Sequence, residues 1–286
     1  MSAVQPRVLV TGGAGYLGTA VLARLHALDV AASGCDIAER EGVTRCDMAD
    51  AAAVSALLQA VKPDVVIHAA ALLPKSAADY DDPAQAACNL ALLAALCAAK
   101  PKRVVFVSSM TVYGNPVRTP VDESDAAPLS AYARGKIEGE RLLAAQGIAH
   151  ASARLAGLFG GARRNGLVAN LCAAAVAGAA PALPPAPLVW AAVHVEDAAQ
   201  SLAQLALSGA AAGPVDIGYP GLISVARLVT LAEELTGRSF SYKVTQPDFA
   251  MKLARAAEFG AVPDVSFASR IAGMIAEARE RHARGV

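Results

Sequence analysis

Two kinds of stretch alternate along the first half of the chain. Short β-branched apolar runs recur at Val8–Thr11, Val65–His68 and Arg103–Ser108, each too brief for a helix. Between them lie longer segments whose apolar residues return at helical spacing. Short continuous apolar runs suit strands buried on both faces, and the longer segments suit amphipathic helices. The pattern predicts strands at Val8–Thr11, Val30–Cys35, Thr44–Asp47, Val65–His68, Arg103–Ser108 and Ala149–Leu155. It predicts helices at Tyr16–Leu28, Asp50–Val61, Asp82–Lys100 and Ser130–Gln146. Asp50 is placed to cap its helix, and Pro83 suits a first helical turn. Asn115–Pro128 reads as a turn-rich loop. This alternation predicts an α/β fold, a doubly wound parallel sheet of Rossmann type.

Beyond Leu155 the pattern loosens into Gly-, Ala- and Pro-rich segments. Helices are expected at Glu196–Leu207 and Ser224–Gly237, a strand at Pro214–Gly218, and a mostly helical tail over Asp248–Val286. The predicted division is a first domain over residues 1–155, built on the doubly wound sheet, and a small lobe over 156–286. Segments at about 189–235 should return to the first domain. Leu167–Val193 carries no charge and is long enough to span a membrane, but Pro181, Pro184, Pro185 and Pro187 break it. It reads as a short helix, a proline-rich loop and a short strand rather than a span.

Composition narrows the classes. The 286 residues carry 25 basic and 25 acidic side chains, so no global field favours nucleic acid or an acidic membrane. The five cysteines, Cys35, Cys46, Cys88, Cys97 and Cys172, form no CxxC pair and no zinc-type cluster with histidine. Reduced thiols in a cytoplasmic protein without a metal are expected. The first strand starts almost at once, so no signal peptide is expected.

That first strand runs into TGGAGYLG, Thr11–Gly18. Gly12 permits a tight turn, Gly15 has no Cβ to hold a pyrophosphate off the backbone, and Gly18 lets the helix approach the sheet. The N–H groups around Tyr16 and Leu17, at the positive end of the helix dipole, then face an anion. Asp36 follows the second apolar run, where a dinucleotide site needs an acceptor for the adenosine ribose. A carboxylate there repels a 2′-phosphate and favours NAD over NADP, although Arg40 and Arg45 lie close enough in sequence to oppose this. Asp47 and Met48 fall at the adenine edge. Ala69, Ala70 and Ala71 are small enough for a cofactor to lie flat on the backbone. Asn89, mid-helix on an apolar face, needs partners and is suited to bracing nearby backbone. His68 reads as a satisfied buried histidine rather than a catalyst.

Ser108, Ser109, Met110 and Thr111 stand at a strand's C-terminal end, where open parallel sheets bind ligands. Tyr132 and Lys136 share one helix face. A lysine ammonium beside a phenol is expected to lower its pKa, and Lys136 can also bond the cofactor ribose. Ser109 is then placed to hold a substrate oxygen while Tyr132 moves its proton, with Thr111 as a second hydroxyl. Arg154, Arg163 and Arg164 are candidate ligands for a phosphate or carboxylate, with an ordinary surface charge as the alternative for each.

The run of motifs TGGAGYLG, Asp36, Asp47, HAAA (His68–Ala71), Asn89, SSMTVYG (Ser108–Gly114), YARGK (Tyr132–Lys136), RLAGLFG (Arg154–Gly160) and VHVEDAA (Val193–Ala199) resembles the extended short-chain dehydrogenase/reductases of the NAD-dependent epimerase/dehydratase type. The resemblance implies tightly held NAD(H), hydride transfer to or from a carbinol, and a homodimer. It assigns Ser109, Tyr132 and Lys136 to catalysis. It places Gly12, Gly15, Tyr16, Leu17, Gly18, Asp36, Asp47, Met48, Ala69–Ala71, Asn89, Ser108, Tyr132, Lys136 and Leu155 at the cofactor, and Ser109, Met110, Thr111, Arg154, Gly157 and Arg164 at the substrate. Dehydratase relatives carry an Asp-Glu pair where Met110-Thr111 stands, and 3,5-epimerase/reductase relatives a cysteine in place of Met110. Elimination and proton abstraction by those routes are therefore disfavoured. Relatives usually have Pro at the position of Leu155 and often Asn, a nucleotide-sugar ligand, at that of Gly157. Three readings follow: a 4-epimerase of a sugar or nucleotide sugar, a dehydrogenase/reductase of a smaller sugar, sugar acid or hydroxy-carbonyl compound, and a non-catalytic NAD-binding regulator.

Overall fold

A computed structural model of the chain describes residues 5–116, 118–180, 182–183, 189–211, 213–240 and 247–284. Strands β1 (Val8–Thr11), β2 (Ala32–Asp36), β3 (Val43–Arg45), β4 (Val65–His68), β5 (Arg103–Ser109), β6 (Ala149–Leu155) and β9 (Gly213–Ile217) form one sheet in the order β3-β2-β1-β4-β5-β6-β9. Every pairing in it is parallel. Strand order reverses beside β1, between β2 and β4, which opens a crevice at the C-terminal strand ends.

Because side chains alternate across a strand, β1, β4 and β5 each supply both cores. Val8, Val10, Ile67, Val105, Ala151 and Ala153 face helices α1 (Tyr16–Ala27) and α6 (Val195–Leu207). Leu9, Val66, Val104 and Phe106 face α2 (Ala51–Val61), α3 (Pro83–Ala98) and α4 (Ala131–Ala145). Asp50 and Asp82 cap α2 and α3 by accepting backbone N–H bonds at 2.8–3.3 Å, and Ser130 caps α4.

The second half completes this sheet. Strand β9 pairs with β6 over Ala151–Leu155, and α6 lies on α1 and crosses β4, β5 and β6. Arg103, at the start of β5, holds the far end of α6. It donates Nη2 to Leu205 O at 2.5 Å, Nη1 to Ala206 O at 2.8 Å and Nε to Ala210 O at 2.9 Å. Strands β7 (Gly157–Phe159) and β8 (Ala192–His194) form a separate parallel pair. Helices α5 (Leu167–Ala177), α7 (Val225–Thr236) and α9 (Phe267–Ala283) pack on one another, and α8 (Ala254–Glu258) lies against β9.

Several boundaries differ from expectation for local reasons. The second strand begins at Ala32, because the N–H of Val30 bonds back to Leu25 O in the exit turn of α1. The third strand is Val43–Arg45, and the Asp47 carboxylate instead closes a turn onto Ala49 N at 2.8 Å. A short 3-10 helix, Met110–Tyr113, follows β5 directly, and a second, Glu123–Asp125, forms within the expected loop. Pro181, Pro184, Pro185 and Pro187, together with Gly285 and Val286, lie outside the described residues. Helix α5 has 11 residues, and among the described residues no helix is long and apolar enough to cross a membrane.

Candidate active site

The glycine turn is tightly fitted to its surroundings. A Cβ at Gly12, where φ is +72°, would lie 2.8 Å from Ala70 N, and one at Gly18 would lie 2.0 Å from Gly12 O. Only glycine admits these approaches without displacing backbone. Gly15 is exposed at the start of α1. Asp36 ends β2 and reaches back to this turn: Oδ2 accepts from Ala14 N and Oδ1 from Ala38 N, both at 3.0 Å. Arg40 reaches the same turn from outside, donating Nη1 to Thr19 Oγ1 at 2.7 Å and to Ala14 O at 3.3 Å. Tyr16 donates its hydroxyl to Gly160 O at 2.6 Å, and the Arg163 guanidinium lies 4.8 Å from its ring centroid. Leu17 is half-buried at the start of α1.

The segment after β4 is fixed from two sides. Thr11 Oγ1 bonds His68 Nδ1 at 2.9 Å and accepts from Ala70 N at 3.2 Å. Asn89 uses both ends of its amide on one residue, accepting from Leu72 N at 2.7 Å and donating to Leu72 O at 2.9 Å. Its bracing role is thus visible in the bonding. His68 is buried, which pushes its pKa down to about 3 with help from the Lys136 charge, so the ring is neutral.

A small cavity of about 10 Å³ is lined by His68, Ala70, Ala71, Asn89, Phe106, Tyr132 and Lys136 among others. The structure therefore brings Tyr132 and Lys136 to the alanine segment that abuts Gly12. The ammonium of Lys136 donates to Val107 O at 2.8 Å and lies 5.5 Å from the Tyr132 ring centroid. Burial pushes Lys136 down to about 8, against the opposing pull of Glu140. Burial, with the adjacent Tyr80, holds the Tyr132 phenol above its ordinary range. This corrects the expectation that Lys136 lowers that pKa. Desolvation of the phenolate is the larger effect, and the ammonium bonds the β5 carbonyl.

Ser109 ends β5 and caps the 3-10 helix Met110–Tyr113, on which α4 packs. Its Oγ accepts from Thr111 Oγ1 at 3.0 Å and Thr111 N at 3.2 Å. With both lone pairs occupied, its hydroxyl proton is what it has to offer. Met110 turns the other way and is buried in the core. Met48 and Leu155 are also buried, while Asp47, Gly157 and Arg164 are exposed. Arg164 bonds Gly161 O and lies 4.0 Å from Glu277.

Arg154 and Ser108 do not open on the crevice. Arg154 is 3% exposed and grips Glu140 in a forked pair, Nε–Oε1 3.0 Å and Nη2–Oε2 2.7 Å. Its Nη1 donates to Glu123 O at 2.8 Å and to the Tyr113 hydroxyl at 3.1 Å. Ser108 donates to Glu140 Oε1 at 2.7 Å, and Tyr113 to Asp216 Oδ1 at 2.5 Å. The expected contact of Arg154 with a substrate anion is replaced by this buried network. Sequence reading missed Glu140 and Asp216. Glu140 had a signal, lying one turn beyond Lys136 on the same helix face, whereas Asp216 had none short of its strand's position.

Among known proteins, the chain is 32% identical over 163 residues to a UDP-glucose 4-epimerase of Azospirillum brasilense, covering 52% of this chain and 47% of that one. It is 34% identical over 229 residues to 2'-dehydrokanamycin reductase of Streptomyces kanamyceticus, covering 72% and 60%. The matched stretch thus spans about half the length of the first of these relatives. The fold matches that of the Thermus thermophilus UDP-glucose 4-epimerase in complex with NAD at a TM-score of 0.76, with 23% identity over 96% of this chain and 99% of the other. The description of the NAD dependent epimerase/dehydratase family fits residues 8–218, most of the sequence and all of the site built above, and the chain belongs to that family.

Proposed function

We propose that the chain is an NAD-dependent oxidoreductase or epimerase acting on a carbinol of a sugar or nucleotide sugar. One adjacency carries the reading: the glycine turn abuts Ala70, and Ala70 shares a cavity with Tyr132 and Lys136. The residues fit a dinucleotide. Gly12 and Gly18 allow the backbone to close tightly, and Gly15, exposed at the N-terminus of α1, puts no side chain in front of the helix end. Each Asp36 oxygen accepts one backbone N–H and keeps a lone pair for a ribose hydroxyl. A 2′-phosphate would meet that carboxylate, so NAD is preferred to NADP.

When bound, NAD supplies the hydride acceptor and, reduced, the donor. The side chains supply the proton chemistry. Tyr132, neutral at its raised pKa, gives its proton to the substrate oxygen when hydride arrives at the carbonyl carbon, and the phenolate so formed takes the carbinol proton when hydride leaves. Ser109 donates its free hydroxyl hydrogen to that same oxygen and fixes it. Lys136 supplies positive charge beneath the phenol and steadies it as its proton leaves. Tyr132→Phe should lower turnover by roughly 10²–10⁴-fold and leave NAD affinity within about threefold. Full turnover in that variant removes the assigned role. Purified protein mixed with NAD and UDP-glucose or UDP-GlcNAc should yield the 4-epimer, and absence of epimer rules out the UDP-linked form.

A second reading, a reductase of a smaller carbonyl compound, is favoured by Arg154. Its guanidinium is enclosed and unavailable to a substrate phosphate. Net consumption of NADH with a carbonyl panel separates the two, because epimerisation returns the hydride and leaves absorbance unchanged.

A further inference from the structure

The buried ion pair beneath the strand ends touches neither the crevice nor the solvent, and stability alone does not account for it. A buried pair is on average no better for stability than apolar residues of the same volume. Its bonds tie the two elements that carry the candidate catalytic groups, α4 and β5, to each other and to β6. Glu140 lies one turn beyond Lys136 on α4. Its carboxylate is held by Ser108, the neighbour of Ser109 on β5, and by Arg154 on β6. Arg154 reaches on to Tyr113, in the 3-10 helix that Ser109 caps, and to the Glu123 carbonyl.

We propose that Glu140 and Arg154 are positioning residues for the reaction, locking the helix that presents Tyr132 and Lys136 to the strand end that presents Ser109. This rests on the function proposed above for those three groups. The pair acts twice. It fixes the register of α4 against β5, since a slide of one turn would break the hydrogen bonds that end on Glu140. It also sets the charge around Lys136. The other groups that line the cavity with Lys136 are uncharged: His68 from β4, Asn89 from α3, Phe106 from β5 and Tyr132 from its own helix. Glu140 is therefore the carboxylate that opposes the cost of burying the ammonium.

The test needs no substrate. Protein labelled with ¹³C at lysine Cε is titrated between about pH 6 and 10, with the Lys136 resonance assigned by Lys136→Arg. The native midpoint should fall near pH 8, where burial has pushed it down to about 8. Glu140→Gln should lower that midpoint by about one pH unit, a tenfold loss of the ammonium form at a fixed pH. Glu140→Gln strands a buried guanidinium and can fail to fold. The double variant E140M/R154M removes both charges at similar volume, and in it the midpoint should fall as well. NADH affinity of the folded double variant, read by fluorescence, should weaken at least about threefold above the new midpoint. An unmoved Lys136 midpoint in a folded E140M/R154M overturns the proposal. Loss of the Tyr132 role shows instead as full turnover in Tyr132→Phe, so the two failures are distinguishable.

Discussion

Asp216 is the residue whose environment conflicts most with its charge. It is fully buried, Oδ1 accepts the Tyr113 hydroxyl, and Oδ2 has no hydrogen-bond partner among the described residues. Burial pushes its carboxyl up to about 7, and the Tyr113 bond and Arg154 only partly oppose this while Glu123 and Glu140 reinforce it. The folded chain thus holds this proton more tightly than the unfolded chain does. Its contribution to stability is complete below the unfolded carboxyl pKa of about 4 and is lost as pH rises through about 7. Asp216→Asn keeps the shape without the titration. It should raise stability at about pH 8 by roughly a few kcal/mol, read as a higher melting temperature, and the gain should vanish towards about pH 4. A gain that is equal at both pH values contradicts the assignment. The fate of Arg154 makes the same point about single residues. Its type suggested a ligand for a substrate anion, and nothing in its sequence neighbourhood gave away that Glu140 and Tyr113 enclose it.

Elements were more legible than single side chains, because backbone signals act over short distances. Asp50 and Asp82 cap the helices they precede, and β1, β4 and β6 fall on the residues their apolar runs marked. Val30 did not, since its N–H is claimed by the helix exit turn rather than by a neighbouring strand. The glycine turn was legible because steric exclusion at Gly12 and Gly18 leaves no other residue type. The clasp between β5 and α6 was not, because Arg103 and its acceptor carbonyls are about a hundred residues apart in sequence. Yet that clasp is an element-scale contact of some weight. The arginine is 8% exposed and satisfies three carbonyls at or just beyond the C-terminus of α6. Arg103→Met should lower stability by roughly 2–4 kcal/mol, read by denaturant unfolding, because the Ala206 and half-buried Ala210 carbonyls lose this partner and Leu205 O keeps only the Ser208 hydroxyl as a side-chain donor. A loss below about 0.5 kcal/mol means that water replaces the side chain there.

At the scale of the whole molecule, a dinucleotide that binds only the folded chain must stabilise it. NAD at about 100 times its Kd should add roughly 2.7 kcal/mol, and NADP at the same concentration markedly less, because in the proposed site a 2′-phosphate would meet the Asp36 carboxylate. Equal thermal shifts with the two would move the adenosine end of the site away from that carboxylate. The expected boundary near residue 155 also takes on a specific meaning at this scale. The sheet of the first half is finished by parts of the second: β9 covers the edge of β6, and α6 covers β4, β5 and β6 on one face.

Synthesis runs from the N-terminus at about 5–20 residues per second, so β6 leaves the ribosome several seconds before α6 and β9. During that interval an unpaired strand edge and an apolar sheet surface stand open to other chains. A protein truncated after residue 155 would remain in that state permanently and should precipitate on expression, while the full chain remains in solution. A clear, monodisperse truncated product would show that nascent chains need no shielding at this stage; otherwise the newborn enzyme depends on chaperones until its last sheet strand emerges.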